Sequence, residues 1–278
     1  MHHTCLKLKS ACIRLIVPGQ ALFSWGLLLL LLWPLCYVVW ISFTPGELLE
    51  PPTGEWSFRW YRLFFASPQW TQGLTHSLIV AGMTVIGSLF GGGGMALAVT
   101  RYYFRGKQLL STAVLLPLFV PAVVLAMALL PFMRALGLWG TEFSLAAAHS
   151  LWSLPVVFLV TRLALEELDP DLEHAARGLG ANPIVTFRRV TLPAIAPALL
   201  VGALMAFILS LNEFLMALFL STPEIETLPK VIWPNLRYTL TPLVAAASSL
   251  TMLLTLLGLA LTVWLLKINR IIRRLPRS

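Results

Sequence analysis

Few residues in this chain have the type and spacing that bond-making chemistry requires. The five histidines, His2, His3, His76, His149 and His174, are scattered, only His2 and His3 being neighbours, and no metal site is suggested. Cys5 and Cys12 lie in a short basic tail and Cys36 in an apolar run, so neither a metal site nor a disulfide framework is expected. There is no Gly-x-Ser-x-Gly elbow and no phosphate loop; the run Gly91-Gly92-Gly93-Gly94 lacks the lysine and hydroxyl that would hold a nucleotide. No catalytic residue, metal or cofactor is expected on this chain, and any nucleotide that drives it must bind elsewhere. Two polar features stand out instead. Asn212-Glu213 places a carboxamide and a carboxylate inside an apolar stretch, and residues 166–196 form a polar segment with acidic and small residues in a regular order. A carboxylate at membrane depth is costly and by default marks a site or a pathway. A hydrogen-bonded glutamate serving helix packing near the interface is the other reading, and both stay open on the residues alone.

The elements that must position these groups are membrane helices. The chain is 58% hydrophobic and 12% charged, where soluble domains carry about 25% charged residues. That composition excludes a single water-soluble core, and with it nucleic-acid binding on a soluble scaffold, despite a net charge of +8. An all-α integral membrane protein follows. Crossing the hydrocarbon takes about 20 apolar residues, and six windows qualify: 21–43, 77–99, 109–133, 144–165, 197–220 and 243–266. The first is too long for the apolar core of a signal peptide and is followed by no small-residue cleavage site, so it reads as an uncleaved span. Residues 1–72 would hold a tail, this span and an outer loop; 73–278 would hold the five remaining helices and a basic tail at 267–278.

Charge sets the expected orientation. Lys7, Lys9, Arg14, Arg101, Arg105, Lys107, Arg162, Arg177, Arg188, Arg189, Lys267, Arg270, Arg273, Arg274 and Arg277 fall on one side of this map. Only Arg59, Arg62, Arg134, Lys230 and Arg237 fall on the other. The bias places both termini and the 166–196 connection in the cytoplasm, with the lipid bilayer as the surrounding partner. The outward loops carry Trp56, Trp60, Tyr61, Trp70, Trp139 and Trp233, a composition that suits the membrane interface. Gly87 and the Gly91–Gly94 run suit close approach of another helix. Pro34, Pro117, Pro121 and Pro155 are tolerable inside spans because neighbours can satisfy the freed carbonyls.

Within 166–196, Asp169-Pro170 reads as an N-cap followed by proline at the first helical position, with Asp171 and Glu173 at the positive helix end. Leu172, Ala176 and Leu179 recur at helical spacing, giving a short helix with a face of small residues. Gly178 and Gly180 are expected to end it in the left-handed conformation, Asn182-Pro183 to begin a second turn, and Pro193 to close that turn. Such a helix either packs on its own bundle or docks into a groove on a partner, where bulk would hold two backbones apart.

The stretch Glu173-His174-Ala175-Ala176-x3-Gly180-x9-Val190-Thr191-Leu192-Pro193 resembles the cytoplasmic signature of the permeases of binding-protein-dependent ABC importers. His174 stands where the pattern has glutamate, with Glu173 one residue earlier, and Val190 replaces isoleucine. Leu116-Pro117-Leu118-Phe119-Val120-Pro121 resembles the proline pair of the same family, and Ser210-Leu211-Asn212-Glu213-Phe214, Thr227-Leu228-Pro229 and Arg237-Tyr238 followed by Thr241-Pro242 resemble the spermidine/putrescine-type members. The resemblance implies a type I importer fold with cytoplasmic coupling helices and a second permease subunit, usually a different chain. It also implies two cytoplasmic ATPases that carry ATP and Mg, and an extracytoplasmic solute-binding protein. Glu173, His174, Ala175, Ala176, Gly180, Leu192 and Pro193 are then the expected coupling positions, and Asn212 and Glu213 the expected pathway positions. The expected function is solute import across a bacterial inner membrane, with a polyamine or another amino-bearing compound as the leading cargo. An ion-gradient-driven carrier acting without an ATPase is the alternative.

Overall fold

The computed structural model describes residues 2–52 and 54–274, with side chains described for Gln20 and over 23–52 and 54–268. The side chains of Lys7, Lys9, Arg14, Cys5, Cys12, Arg270, Arg273 and Arg274, and all of Arg277, lie outside the described residues. The chain divides into two compact units, Met1–Phe64 with Leu240–Ser249, and Phe65–Thr239 with Leu250–Ser278. All regular structure among the described residues is helical. Among the described residues, five helices are long and apolar enough to cross a membrane, or six if one sharply bent pair counts as a span.

In the first unit, α1 (His2–Ile41) supplies the apolar run Phe23–Ile41, whose leucines and tryptophans face outward as lipid-facing side chains do. The loop after it folds onto Phe43, whose ring lies 5.6, 5.3 and 5.3 Å from those of Trp56, Phe58 and Tyr61. The Ser42 hydroxyl shares a 2.7 Å hydrogen bond with the Tyr61 hydroxyl. Trp60, at the start of α2 (Arg59–Ala66), is buried, as is Trp70 in the second unit. These two rings fill interior space rather than joining an interface belt, whereas Trp56, Trp139 and Trp233 are exposed.

The second unit is built on three mutually packed helices. The first is α3 (Pro68–Ser88), continued through a π-helical turn at Leu89–Gly93 into α4 (Gly94–Arg101) as one 34-residue span, Pro68–Arg101. The following α5 (Lys107–Ala113) and α6 (Ala122–Ala135) flank a 3-10 turn at Leu116–Phe119. The second packed helix is α7 (Glu142–Glu167). After α8 (Pro170–Gly178) and α9 (Pro183–Thr186) a second π turn, Phe187–Thr191, leads into the third, α10 (Leu192–Leu211). The chain ends with α11 (Leu215–Leu220), α12 (Leu228–Tyr238) and α13 (Pro242–Arg274).

The glycine run is a packing device. A Cβ on Gly92 would stand 2.6 Å from the Leu154 carbonyl oxygen and 3.0 Å from the Phe158 nitrogen, and one on Gly87 or Gly91 would strike Ser150 or Leu154. Bare backbone of the α3–π–α4 span therefore lies on bare backbone of α7. Gly94 has nothing within 4 Å of its would-be Cβ. Gly92→Ala is thus expected to destabilise the bundle by about 1–3 kcal/mol through overpacking, while Gly94→Ala melts with the wild type. Thermal unfolding in detergent checks this, and equal melting temperatures would refute the contact.

Hydroxyls and one imidazole bridge the same three helices. Ser88 and Ser153 share a 2.6 Å hydrogen bond, His149 Nδ1 lies 2.9 Å from Ser210 Oγ, and that hydroxyl donates to Thr84 at 3.3 Å. His149 is fully enclosed there, a structural member of the core rather than an interface residue.

Two spans differ from the sequence expectation. The third, expected as one helix over 109–133, is bent by 107° at Val120-Pro121. Pro121 lacks an N–H and forces the residue before it out of the helical region; Val120 is extended at φ −98°, ψ 128°. The fifth, expected at 197–220, instead occupies Pro183–Leu211. Its apolar run continues past Leu211, but its hydrogen-bond ladder does not.

Candidate functional site

The connection between α7 and α10 is assembled from local signals. The Asp169 carboxylate accepts from the Asp171 N–H at 3.0 Å and caps α8, with Pro170 at the first helical position and Asp171 and Glu173 in the first turn. At the far end the Ala181 N–H donates to the Ala176 carbonyl and the Gly180 N–H to the Arg177 carbonyl, at 3.1 and 2.9 Å. That paired pattern requires a left-handed residue at Gly180, and its φ is +87°. Gly178, expected to share this role, is the last helical residue and keeps helical geometry. Asn182 then caps α9 through its side-chain oxygen, which accepts from the Val185 N–H at 2.8 Å.

Pro193 does not close this second helix. The ring of a helical proline collides with the carbonyl four residues back, here Arg189, and the π turn over Phe187–Thr191 widens the helix at that point. The chain therefore runs through Leu192 and Pro193 into α10, with Leu192 half-buried and Pro193 exposed. The non-spanning connection is shorter than the 166–196 segment read from the sequence.

The signature residues of α8 point in two directions. Glu173 is buried, 7% exposed, and faces its own chain. Its Oε2 lies 3.0 Å from Arg101 Nε at the end of α4, its Oε1 accepts from the Thr191 hydroxyl at 2.6 Å, and Arg101 Nη2 donates to the Leu168 carbonyl at 3.1 Å. A cavity of about 220 Å³ opens beside this cluster, lined also by Leu97, Tyr102, Arg177, Ile184 and Phe187. His174 and Ala175 are exposed and Ala176 partly so. With Leu172 at 54% and Leu179 at 90% exposure, Ala175 and Ala176 form an apolar strip with small residues at its middle, left largely uncovered among the described residues. Arg177 on α8 and Arg188 and Arg189 on the π turn are exposed beside it, as are Asp169 and Asp171 at the start of α8, so the surface around the strip carries both signs of charge.

The second polar feature lies where α10 stops. The Asn212 amide donates to the Ile208 carbonyl of its own helix at 2.8 Å, and the backbone turns out of the ladder. The half-buried Glu213 carboxylate accepts from the Met216 N–H at 2.9 Å and so caps α11. Phe214 beside it stacks at 5.0 Å on Trp233 of α12. Asn212 and Glu213 thus stand at a helix break rather than in mid-helix, and Asn212 is exposed.

Sequence reasoning missed the partners of Glu173. Arg101 counted only as one of several basic residues after the second span, and Thr191 only as a spacer in the signature. The available signal was an arginine falling at the last turn of an apolar span, where an unpaired guanidinium would be costly.

Residues 83–270 match the family model described as the binding-protein-dependent transport system inner membrane component. The chain is 31% identical over 200 residues to the spermidine/putrescine transport system permease protein PotC of Haemophilus influenzae, covering 72% of this chain and 78% of that protein. It is 31% identical over 224 residues to the putrescine transport system permease protein PotI of Escherichia coli, covering 78% and 79%. The sulfate transport system permease protein CysT of Salmonella typhimurium is 31% identical over 220 residues, covering 75% and 77%. Among solved structures, a chain of a bacterial ABC transporter that imports the acidic polysaccharide alginate superposes with a TM-score of 0.68 at 18% identity, over 91% of this chain and 96% of that one. A chain of the inward-facing methionine transporter MetNI superposes with a TM-score of 0.62 at 18% identity, over 72% and 95%.

Proposed function

The chain belongs to the family of binding-protein-dependent transport system inner membrane components, the permeases of ABC importers, and from that premise we propose that it carries a polyamine or another amino-bearing solute inward under the force of a separate ATPase. The observation that carries the coupling half of this reading is the exposed apolar strip of Leu172, Ala175, Ala176 and Leu179 along α8 and its C-terminal turn. Its capped, rigid helix presents apolar area that water disfavours, and its alanines let another backbone approach closely. A cytoplasmic ATPase seated there would move α8 as a body. Two such ATPases carrying ATP and Mg, a second permease chain forming a heterodimer, and an extracytoplasmic solute-binding protein complete the transporter. Both termini then lie in the cytoplasm of a bacterial cell, where the basic tail at 267–278 faces anionic lipid.

The cation half of the reading rests on the likeness to polyamine permeases together with Glu213, which adds a chemical reason for cation over anion where a sulfate permease also matches at 31% identity. A carboxylate beside the Phe214–Trp233 pair suits an ammonium group, through charge and through the faces of the rings. The test is uptake by the purified complex in sealed vesicles. Uptake that needs ATP hydrolysis and the loaded binding protein supports the proposal. Uptake by the permease alone, following an ion gradient, would establish a secondary carrier instead.

A further inference from the structure

We propose that Arg101 is a positioning residue for coupling, clamping α8 to two membrane spans at once through Glu173; the proposal rests on the importer reading above. Covalently, α8 is joined to α7 through Leu168-Asp169 and to α9 through the left-handed turn at Gly180. Neither connection reaches the α3–α4 span. The carboxylate of Glu173 does. It takes one charged bond from Arg101 at the last turn of α4 and one hydroxyl bond from Thr191, which ends the π turn and enters α10. Arg101 adds a bond to the Leu168 carbonyl, so the same guanidinium also holds the exit of α7.

Four chain segments therefore meet at one ion pair: the ends of α4 and α7, the first turn of α8, and the entry to α10. Glu173 and Arg101 are both largely removed from water, at 9% and 15% side-chain exposure, so their pair is screened far less than a surface ion pair. It is also directional, because the guanidinium presents fixed donors to the carboxylate and the carbonyl together. A displacement imposed on the outer, apolar face of α8 passes through this inner face into the α3–α4 span and α10 without first bending a loop. Those two helices and α7 are the packed trio of the unit, so all three receive the displacement together.

The assay is the assembled transporter in vesicles, read for subunit co-purification, hydrolysis stimulated by loaded binding protein, and solute moved per ATP. Arg101→Gln and Glu173→Gln are expected to co-purify with the ATPase and to hydrolyse ATP at about the wild-type basal rate, while solute moved per ATP falls about tenfold, the scale of a lost coupling energy. Arg101→Lys keeps the charge but not the fork, and should recover part of the ratio. Thr191→Val, a nearly isosteric change, should lower the ratio without disturbing assembly even if the charge variants fold poorly. An unchanged ratio in Thr191→Val and Arg101→Gln overturns the clamp, as does loss of assembly across all the variants, which would make the trio purely structural. Failure of the wild-type complex to couple uptake to ATP would instead refute the importer reading beneath it.

Discussion

Gly180→Val leaves the chain inserted in the membrane but lowers ATP-dependent uptake about tenfold or more, because the turn that ends α8 can no longer form without strain. The left-handed region costs an ordinary L-residue roughly 1–2 kcal/mol, and a β-branched one more. Gly180 holds φ +87°, and nothing lies within 4 Å of its would-be Cβ. The expected defect is therefore conformational and not a clash within this chain. Two companions isolate that cause. Gly180→Asn, a residue that visits the left-handed region through local hydrogen bonding, should keep most of the uptake. Gly178→Ala should be neutral, because Gly178 is helical and equally unobstructed. Uptake assays on membranes normalised for inserted chain check all three. If asparagine fails as badly as valine, bulk at the docking face matters and the backbone account falls; if valine transports normally, the turn has no part in coupling.

The legible features in the sequence were those written in short range. Asp169-Pro170, Asn182-Pro183 and Gly180 each specify a cap or turn by the chemistry of one or two residues, and the structure forms each of them. The glycine run likewise announced a close helix contact, though not that its partner would be the Leu154–Phe158 backbone. Errors arose where one residue type has two meanings set by tertiary context. Pro193 looks like a terminator but is absorbed by a π turn, and Pro121 looks like a tolerated kink but breaks the third span by 107°. The apolar run 197–220 hides a helix end because hydropathy does not register that Asn212 and Glu213 take up backbone hydrogen bonds. Arg101 illustrates the remaining blind spot. Its partner lies 72 residues away in sequence, and no local pattern links a span's last turn to a carboxylate on a later helix.

Glu213 separates charge from architecture, and the two can be removed one at a time. Glutamine keeps a carbonyl oxygen where the Met216 N–H donates, so Glu213→Gln should preserve the cap of α11 and the stability of the bundle. It deletes the negative charge. At about 4 Å and an effective dielectric of about 20, a single pair of charges interacts by about 4 kcal/mol, of which about 1.4 kcal/mol already amounts to a tenfold change in rate. Uptake of a linear polyamine by the assembled transporter should then fall about tenfold in Glu213→Gln, with its thermal unfolding unchanged. Glu213→Ala removes the cap as well, and should add a stability loss of about 1 kcal/mol. Lys230, ion-paired with Glu226 at 3.2 Å and donating to the Ser221 hydroxyl at 2.7 Å, is a charge control within the same unit: Lys230→Gln removes that ion pair and should leave cation transport near the wild-type level. Normal polyamine uptake in Glu213→Gln alongside reduced stability in Glu213→Ala would assign Glu213 to the cap alone. The preference for an amino-bearing cargo would then rest on relatedness alone.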